Sequence, residues 1–181
     1  MNLQSNDFEL FGIPARFAQS RAELDRRWRD LQRQAHPDRF SQQGAAAQRI
    51  AMQWSVRINE AYQRLRDPLK RAAYLCELNG APVHADNNTA MPAQFLQQQM
   101  AWRESLDDAA GVAELKHIGF EVARALGEAL QRCEQLLDVE QDYGQAVQQV
   151  RAWMFIERLV RYIEDRLDAS QESTNPAVKG Q

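Results

Sequence analysis

Apolar residues return every three or four positions along most of this chain, in stretches separated by polar interruptions, the pattern of helices that each bury one face. The first stretch is short: Asn6-Asp7-Phe8-Glu9 has the capping-box spacing, and Gly12 and Pro14 end it. Ser20-Arg21-Ala22-Glu23 repeats the device and opens a helix running to Ala35. In it Leu24, Trp28, Leu31 and Ala35 fall within about 60° of one another at ~100° per residue. After a polar loop, FSQQG, the residues Ile50, Trp54, Ile58, Ala61 and Leu65 make one face of a third helix, which predicts two antiparallel helices packed across that loop. Asp67-Pro68 pairs an N-cap with a proline at the first helical position, and the helix it opens ends at Asn79-Gly80.

Periodicity then lapses. Residues 80–91, which include APVHADNNTAM, hold turn formers without a period and predict a linker between a domain at 1–79 and a second one at 92–169. The second domain reads as three helical segments, roughly 92–107, 112–138 and 142–169, with Leu115, Ile118, Val122, Leu126, Cys133 and Leu137 striping the middle one. An antiparallel three-helix bundle buries those stripes. The end, SQESTNPAVKGQ, is polar and aperiodic and predicts a disordered tail over 170–181. The fold class is all-α.

Two positions in the second domain break its stripes. Phe95, Trp102 and Leu106 lie within about 40° on the first of its helices, whereas Leu96, Met100, Glu104 and Asp108 run down a different face. On the last helix Trp153, Ile156, Val160, Ile163 and Leu167 share a side, and Phe155 points roughly 120° away. An apolar pair continuing into carboxylates, and an off-stripe aromatic, suit a protein partner equally with a widened core.

Composition narrows the function. The chain has 181 residues, 44% of them hydrophobic, with 8 Gly and 6 Pro, which leaves little room for a glycine-rich nucleotide cradle. No apolar run reaches the ~20 residues needed to cross a bilayer, and the opening MNLQSNDFELFG lacks the layout of a secretory or transit leader, so a bacterial cytoplasmic protein is expected. Cys76 and Cys133 are far apart on apolar stripes, and His36, His84 and His117 are scattered, so no metal site or cofactor is expected. Neither paired catalytic carboxylates nor a nucleophile–base arrangement stands out, so no enzyme activity is expected. Net charge is -3, divided unevenly: residues 1–79 carry 13 Lys+Arg against 9 Asp+Glu, and residues 80–181 carry 9 against 16. The halves face different partners.

The chemistry concentrates at one corner. In QAHPDRF, Pro37 removes a backbone donor and pushes His36 out of helical conformation, leaving Asp38 in the turn beyond. Arg26, Arg29 and Arg33 share the polar face of the preceding helix, opposite its core stripe. A basic face of this kind could be merely solvated or could track phosphate, but a pI near 5.7 argues against a nucleic-acid partner.

His36-Pro37-Asp38 together with Ile58-Asn59-Glu60-Ala61-Tyr62, Leu65, Asp67-Pro68 and Arg71 resembles a J domain, the module by which co-chaperones engage heat-shock ATPases. The opening FELFGIPARF and the helical second domain are similar to the HscB type, the co-chaperones of iron–sulfur cluster assembly. The resemblance implies that His36, Pro37 and Asp38 stimulate the ATPase of an HscA-type chaperone, with Arg26, Arg29, Arg33 and Arg39 docking on its acidic surface. It also implies that Leu96, Gln97, Met100, Glu104, Asp108 and Phe155 hold the scaffold protein IscU. The chain departs from the family pattern at Arg39, where Lys is usual, at Ala35, where an aromatic is common, at Gln97, which replaces an apolar residue, and at Ala101, which replaces an acidic one.

Overall fold

The computed structural model describes residues 4–83 and 91–174, with side chains to residue 170. Among these residues seven α-helices span Asp7–Phe11 (α1), Arg21–Ala35 (α2), Ala45–Arg66 (α3), Pro68–Leu78 (α4), Ala93–Asp108 (α5), Val112–Glu134 (α6) and Tyr143–Thr174 (α7). A 3₁₀ segment, Pro37–Gln43, joins α2 to α3, and π-type turns at Gln135–Glu140 extend α6. Among the described residues there is no strand.

The helix starts follow the caps read from the sequence, with one exception. Asn6 Oδ1 accepts the Glu9 N–H at 2.9 Å and Glu9 Oε2 accepts the Asn6 N–H at 3.1 Å, a complete capping box. Asp67 Oδ1 accepts the Lys70 N–H at 3.0 Å ahead of Pro68. At α2 only half of the expected box forms: Ser20 Oγ accepts the Glu23 N–H at 3.3 Å, but the Glu23 carboxylate is taken by Arg26 and Arg27. An ion pair with two guanidiniums outcompetes a single backbone donor.

Helices α2 and α3 are antiparallel, as the contacts between them run in opposite directions. Asp25 meets Tyr62, Trp28 meets Asn59, and Ala35 meets Ser55. This register explains the residues of the Ile58–Tyr62 stretch. Ile58 and Ala61 are fully buried. Asn59 Oδ1 accepts from both Trp28 Nε1 (2.9 Å) and Gln32 Nε2 (2.7 Å). Tyr62 stacks on Trp28 at 4.9 Å and donates its hydroxyl to Asp25 at 2.6 Å, a bond that holds the Asp25 carboxyl below its usual range. Ile50, placed on this face by periodicity, is instead exposed: α3 is seven residues longer than α2, and its first turns run past the surface α2 could cover.

A buried ion pair ties α1 down. The Asp7 side chain is fully buried; Arg57 lies 2.6 Å from its Oδ1 and Arg64 3.0 Å from its Oδ2, while its backbone N–H donates to the Tyr74 hydroxyl at 3.0 Å. The Arg57 contact is an ion pair without hydrogen-bond alignment, and the same nitrogen donates to the Ser5 carbonyl at 3.1 Å.

The second three-helix layer packs against α4. Buried Trp102, Leu106, Ile118, Val122, Val150, Trp153 and Ile156 form its core, and α5 and α7 run parallel, with Phe95 against Phe155 and Leu106 bonded to Arg166. Helix α7 continues to Thr174, past the expected end at 169; residues 175–181 of the expected tail, and residues 84–90 of the expected linker, including His84, lie outside the described residues.

The two halves meet on the α1–α2 loop. Asp138, in the π-type turns, accepts the Phe17 N–H at 2.5 Å and the Ala18 N–H at 2.8 Å. Arg71 of α4 donates to the Phe17 carbonyl at 2.8 Å and also to the Leu65 carbonyl, with its guanidinium 5.2 Å from the Phe17 ring centroid. The Phe17 ring then meets Trp153 of α7 edge-on at 6.1 Å. Burial works against the Arg71 charge, and Asp138 and Asp67 offset part of that penalty. Cys76 and Cys133 are buried, and desolvation pushes their thiols up to about 11 and about 12, so neither is a nucleophile at neutral pH.

Replacing the Asp138 carboxylate leaves two N–H groups of this junction without their acceptor. Asp138→Ala is expected to lower stability by about 1–3 kcal/mol and to loosen the coupling between halves. Urea unfolding checks this, with Trp28 and Trp54 reporting on one half and Trp102 and Trp153 on the other in single-tryptophan versions; the parent is expected to unfold in one transition and the variant in two.

Candidate functional site

The corner after α2 is held from behind and open in front. Ser55 Oγ donates to the Ala35 carbonyl at 3.2 Å, and an Arg39 guanidinium nitrogen donates to the Arg33 carbonyl at 3.3 Å, so two of the orphan carbonyls at the C-terminus of α2 are satisfied by side chains from beyond the corner. Pro37 opens a tight 3₁₀ turn, closed by the Arg39 N–H on the His36 carbonyl at 3.1 Å and by Ser41 Oγ on the Asp38 carbonyl at 2.9 Å. The expected polar loop is therefore an ordered turn, because proline presets its first residue and the Ser41 hydroxyl pins it.

At its tip the Asp38 side chain is 90% exposed, with His36 Nδ1 at 3.6 Å from Oδ2. The same Nδ1 accepts the Asp38 backbone N–H at 3.3 Å, which requires that nitrogen to be unprotonated. In that state the carboxylate has no donor from its own chain among the described residues and presents both oxygens outward. Ser55 is a corner residue that the sequence reading missed; no local motif marks it, since its role depends on α3 lying across the end of α2.

The basic face is laced with acids. Arg26 forms a two-pronged bond to Glu23, at 2.6 and 3.0 Å, and lies 3.9 Å from Asp30; Arg33 pairs with Asp30. These pairs hold the Glu23 carboxyl below its usual range, Arg26 contributing most and Arg27 next, and they raise the Arg26 guanidinium. Arg29 is exposed and makes no hydrogen bond or ion pair among the described residues, which leaves it the least committed cation of the stripe. Arg39 sits beyond the corner, is exposed, and reaches back to the Arg33 carbonyl, which joins it to the edge of α2 that carries Arg33. Beside that edge Ala35 lines a hollow of about 420 Å³ with Phe40, Ile50 and Trp54. A larger side chain at position 35 would fill it.

On the second half, Leu96, Gln97, Met100, Glu104 and Asp108 are all exposed along α5, Leu96 at 45% and Met100 at 63%. That decides against a widened core. Phe155 is half-buried: it meets Phe95 edge-on at 5.9 Å and carries the Arg103 guanidinium 5.5 Å from its ring centroid. Phe155 thus packs on α5 and stays partly exposed, against Phe95 and Arg103 of the helix that carries Leu96 and Met100. Arg103 was not singled out by periodicity, because it sits between the core stripe and the exposed one.

Among the described residues no cluster of three or more His, Cys, Asp or Glu could hold a metal ion, and no helix is long and apolar enough to cross a membrane.

Comparison with known proteins agrees with both halves. Residues 7–74 match the DnaJ domain family, and residues 91–164 match the family described as the HSCB C-terminal oligomerisation domain. The co-chaperone protein HscB homolog of Bordetella petrii is 49% identical over 158 residues, covering 85% of this chain and 91% of that protein. Among solved structures, chaperone HscB from Vibrio cholerae superposes with a TM-score of 0.76 at 31% identity, covering 91% of this chain and 99% of that one. The human co-chaperone protein HscB superposes with a TM-score of 0.84 at 26% identity, over 92% of this chain and 84% of that one. A J domain with an exposed His-Pro-Asp corner, followed by an all-helical half that matches in both sequence and fold, places the chain in the HscB family of co-chaperones.

Proposed function

We propose that this co-chaperone acts in iron–sulfur cluster assembly in the bacterial cytoplasm, stimulating ATP hydrolysis by an HscA-type heat-shock chaperone and delivering an IscU-type scaffold to it. The N-terminal unit, residues 1–79, engages the chaperone, and the unit at 92–169 carries the scaffold. The observation that carries this reading is the Asp38 carboxylate, 90% exposed at the end of a turn fixed by Pro37, Ser41 and Ser55. A carboxylate carried on an ordered turn, with the His36 ring 3.6 Å away and neither oxygen taken by a hydrogen bond among the described residues, is ready for a charge-assisted bond to an arginine of the chaperone. The cations Arg26, Arg29, Arg33 and Arg39 favour approach to an acidic surface, and Arg29 has the most freedom to contribute.

Cargo binding rests on the second face. Leu96 and Met100 offer apolar area and adaptable packing, Phe155 offers an anchor backed by Phe95, and Glu104 and Asp108 give an acidic rim, with Gln97 as a polar contact in their midst. The chain contributes to the chaperone cycle by coupling: it raises the local concentration of scaffold beside the chaperone and accelerates the hydrolysis step that traps it. Service to other client proteins is the alternative, and it has no need of the Leu96/Met100/Phe155 face.

In a single-turnover ATPase assay with the chaperone, Asp38→Ala is expected to abolish stimulation while leaving helicity and melting unchanged, because its side chain supports nothing else in the fold. Arg29→Ala is expected to weaken stimulation severalfold at low salt and less at high salt, as screening over about 10 Å at 0.1 M ionic strength predicts. Full stimulation by the Asp38 variant would refute the role of the corner. For cargo, the triple variant Leu96→Ala/Met100→Ala/Phe155→Ala is expected to lose scaffold capture in a pull-down while still stimulating the ATPase; undiminished capture points to the general-client alternative.

A further inference from the structure

The cargo face does not end at Phe155. Seven residues further along α7, two helical turns and hence on the same side, Tyr162 is an exposed large aromatic, and the Arg166 guanidinium lies 5.8 Å from its ring centroid. The face still borders α5 there, since Arg166 donates to the Leu106 carbonyl at 2.7 Å, just as Phe155 borders α5 through Phe95. One surface between α5 and α7 therefore carries two steps of arginine on aromatic: Arg103 over Phe155, and Arg166 over Tyr162. The steps are separated by roughly 10 Å at 1.5 Å per residue.

Their charge stands out within an acidic half, where residues 80–181 hold 9 Lys+Arg against 16 Asp+Glu. Arg124 lies 3.8 Å from Glu128 and Arg132 lies 2.5 Å from Glu140, whereas Arg158 and Arg161 donate to backbone carbonyls and form no ion pair among the described residues. Arg103 and Arg166 form no ion pair among the described residues, despite Glu104, Asp107 and Asp108 nearby in sequence. Each is instead seated near a ring, and Arg166 is further tethered by its backbone bond. A guanidinium held against an aromatic face keeps donors along its edge for a planar acceptor, and its position is set before a partner arrives.

We propose that Arg103 and Tyr162, with Arg166 behind it, form part of the scaffold-binding surface, and that this surface recognises a folded protein whose apolar patch is bordered by two carboxylates about 10 Å apart. This rests on the reading of the α5 face as the cargo site. It adds to the apolar and acidic residues of that site a cationic component that sets the orientation of the partner: carboxylates meet Arg103 and Arg166, while Glu104 and Asp108 meet cations on the other side. Apolar contacts at Leu96 and Met100 give affinity without direction; alternating charge gives register.

Isothermal titration of the full-length chain with purified IscU-type scaffold, at low and high ionic strength, tests the proposal. Arg103→Gln and Tyr162→Ala are each expected to weaken binding about five- to tenfold at low salt, with a smaller loss for Arg103→Gln at high salt. Arg103→Lys, which keeps the charge but not the planar fork, is expected to recover binding only in part. Both positions are exposed, so circular dichroism should match the parent. Leu96→Ala is the control for the underlying reading: if it weakens binding while Arg103→Gln and Tyr162→Ala bind like the parent, the extended surface is wrong and the cargo site stands. Parent-like binding by Leu96→Ala as well, or no binding by the parent chain, overturns both.

Discussion

Phe17 is gripped from both sides, and the relation between the two working surfaces depends on that grip. Its carbonyl accepts from Arg71 of the N-terminal half, its N–H and that of Ala18 donate to Asp138 of the C-terminal half, and its ring lies between the Arg71 guanidinium and Trp153. A loop without regular structure thereby becomes the point where α4, the π-type turns and α7 converge. The charges compensate one another across it: a buried guanidinium needs acceptors and a nearby anion, and the loop carbonyl, the Leu65 carbonyl and Asp138 supply them. Arg71, part of the J-domain pattern in the sequence, is a structural residue in this protein, whatever else it does.

The two surfaces are built by opposite means. At the corner, backbone geometry does the positioning: proline, a 3₁₀ turn and three side-chain bonds leave one carboxylate outside, with the His36 ring 3.6 Å away. On α5 and α7, by contrast, packing does it, since Phe95 and Trp102 fill the interior so that Leu96, Met100 and Phe155 are left at the surface. Rigid presentation of a single charge suits the triggering of a chemical step in a partner, whereas a broad apolar face suits retention of a folded cargo.

Local signals made most of this legible. Caps at Asn6, Ser20 and Asp67 located helix starts, the 3.6-residue period separated the buried Trp102 and Leu106 from the exposed Leu96 and Met100, and the His-Pro-Asp and Asn59–Tyr62 stretches identified the N-terminal half. What escaped was non-local. Asp138 lies about 120 residues from its partners and looks like any polar position near a helix end. Ser55 and Arg103 act only through neighbours from other helices. Ile50 misled because periodicity reports which residues share a face, and not whether a neighbouring helix is long enough to cover it. The half-formed box at Ser20 failed for a related reason, as spacing counts a glutamate without counting the arginines that compete for it.

If the Phe17 junction fixes the corner and the cargo face in one body, the two halves must tumble together. Residual dipolar couplings on amides of α2–α4 and of α5–α7 in the free protein measure this directly. A single alignment tensor that fits both sets is the result the account predicts; two tensors of different magnitude or orientation would contradict it.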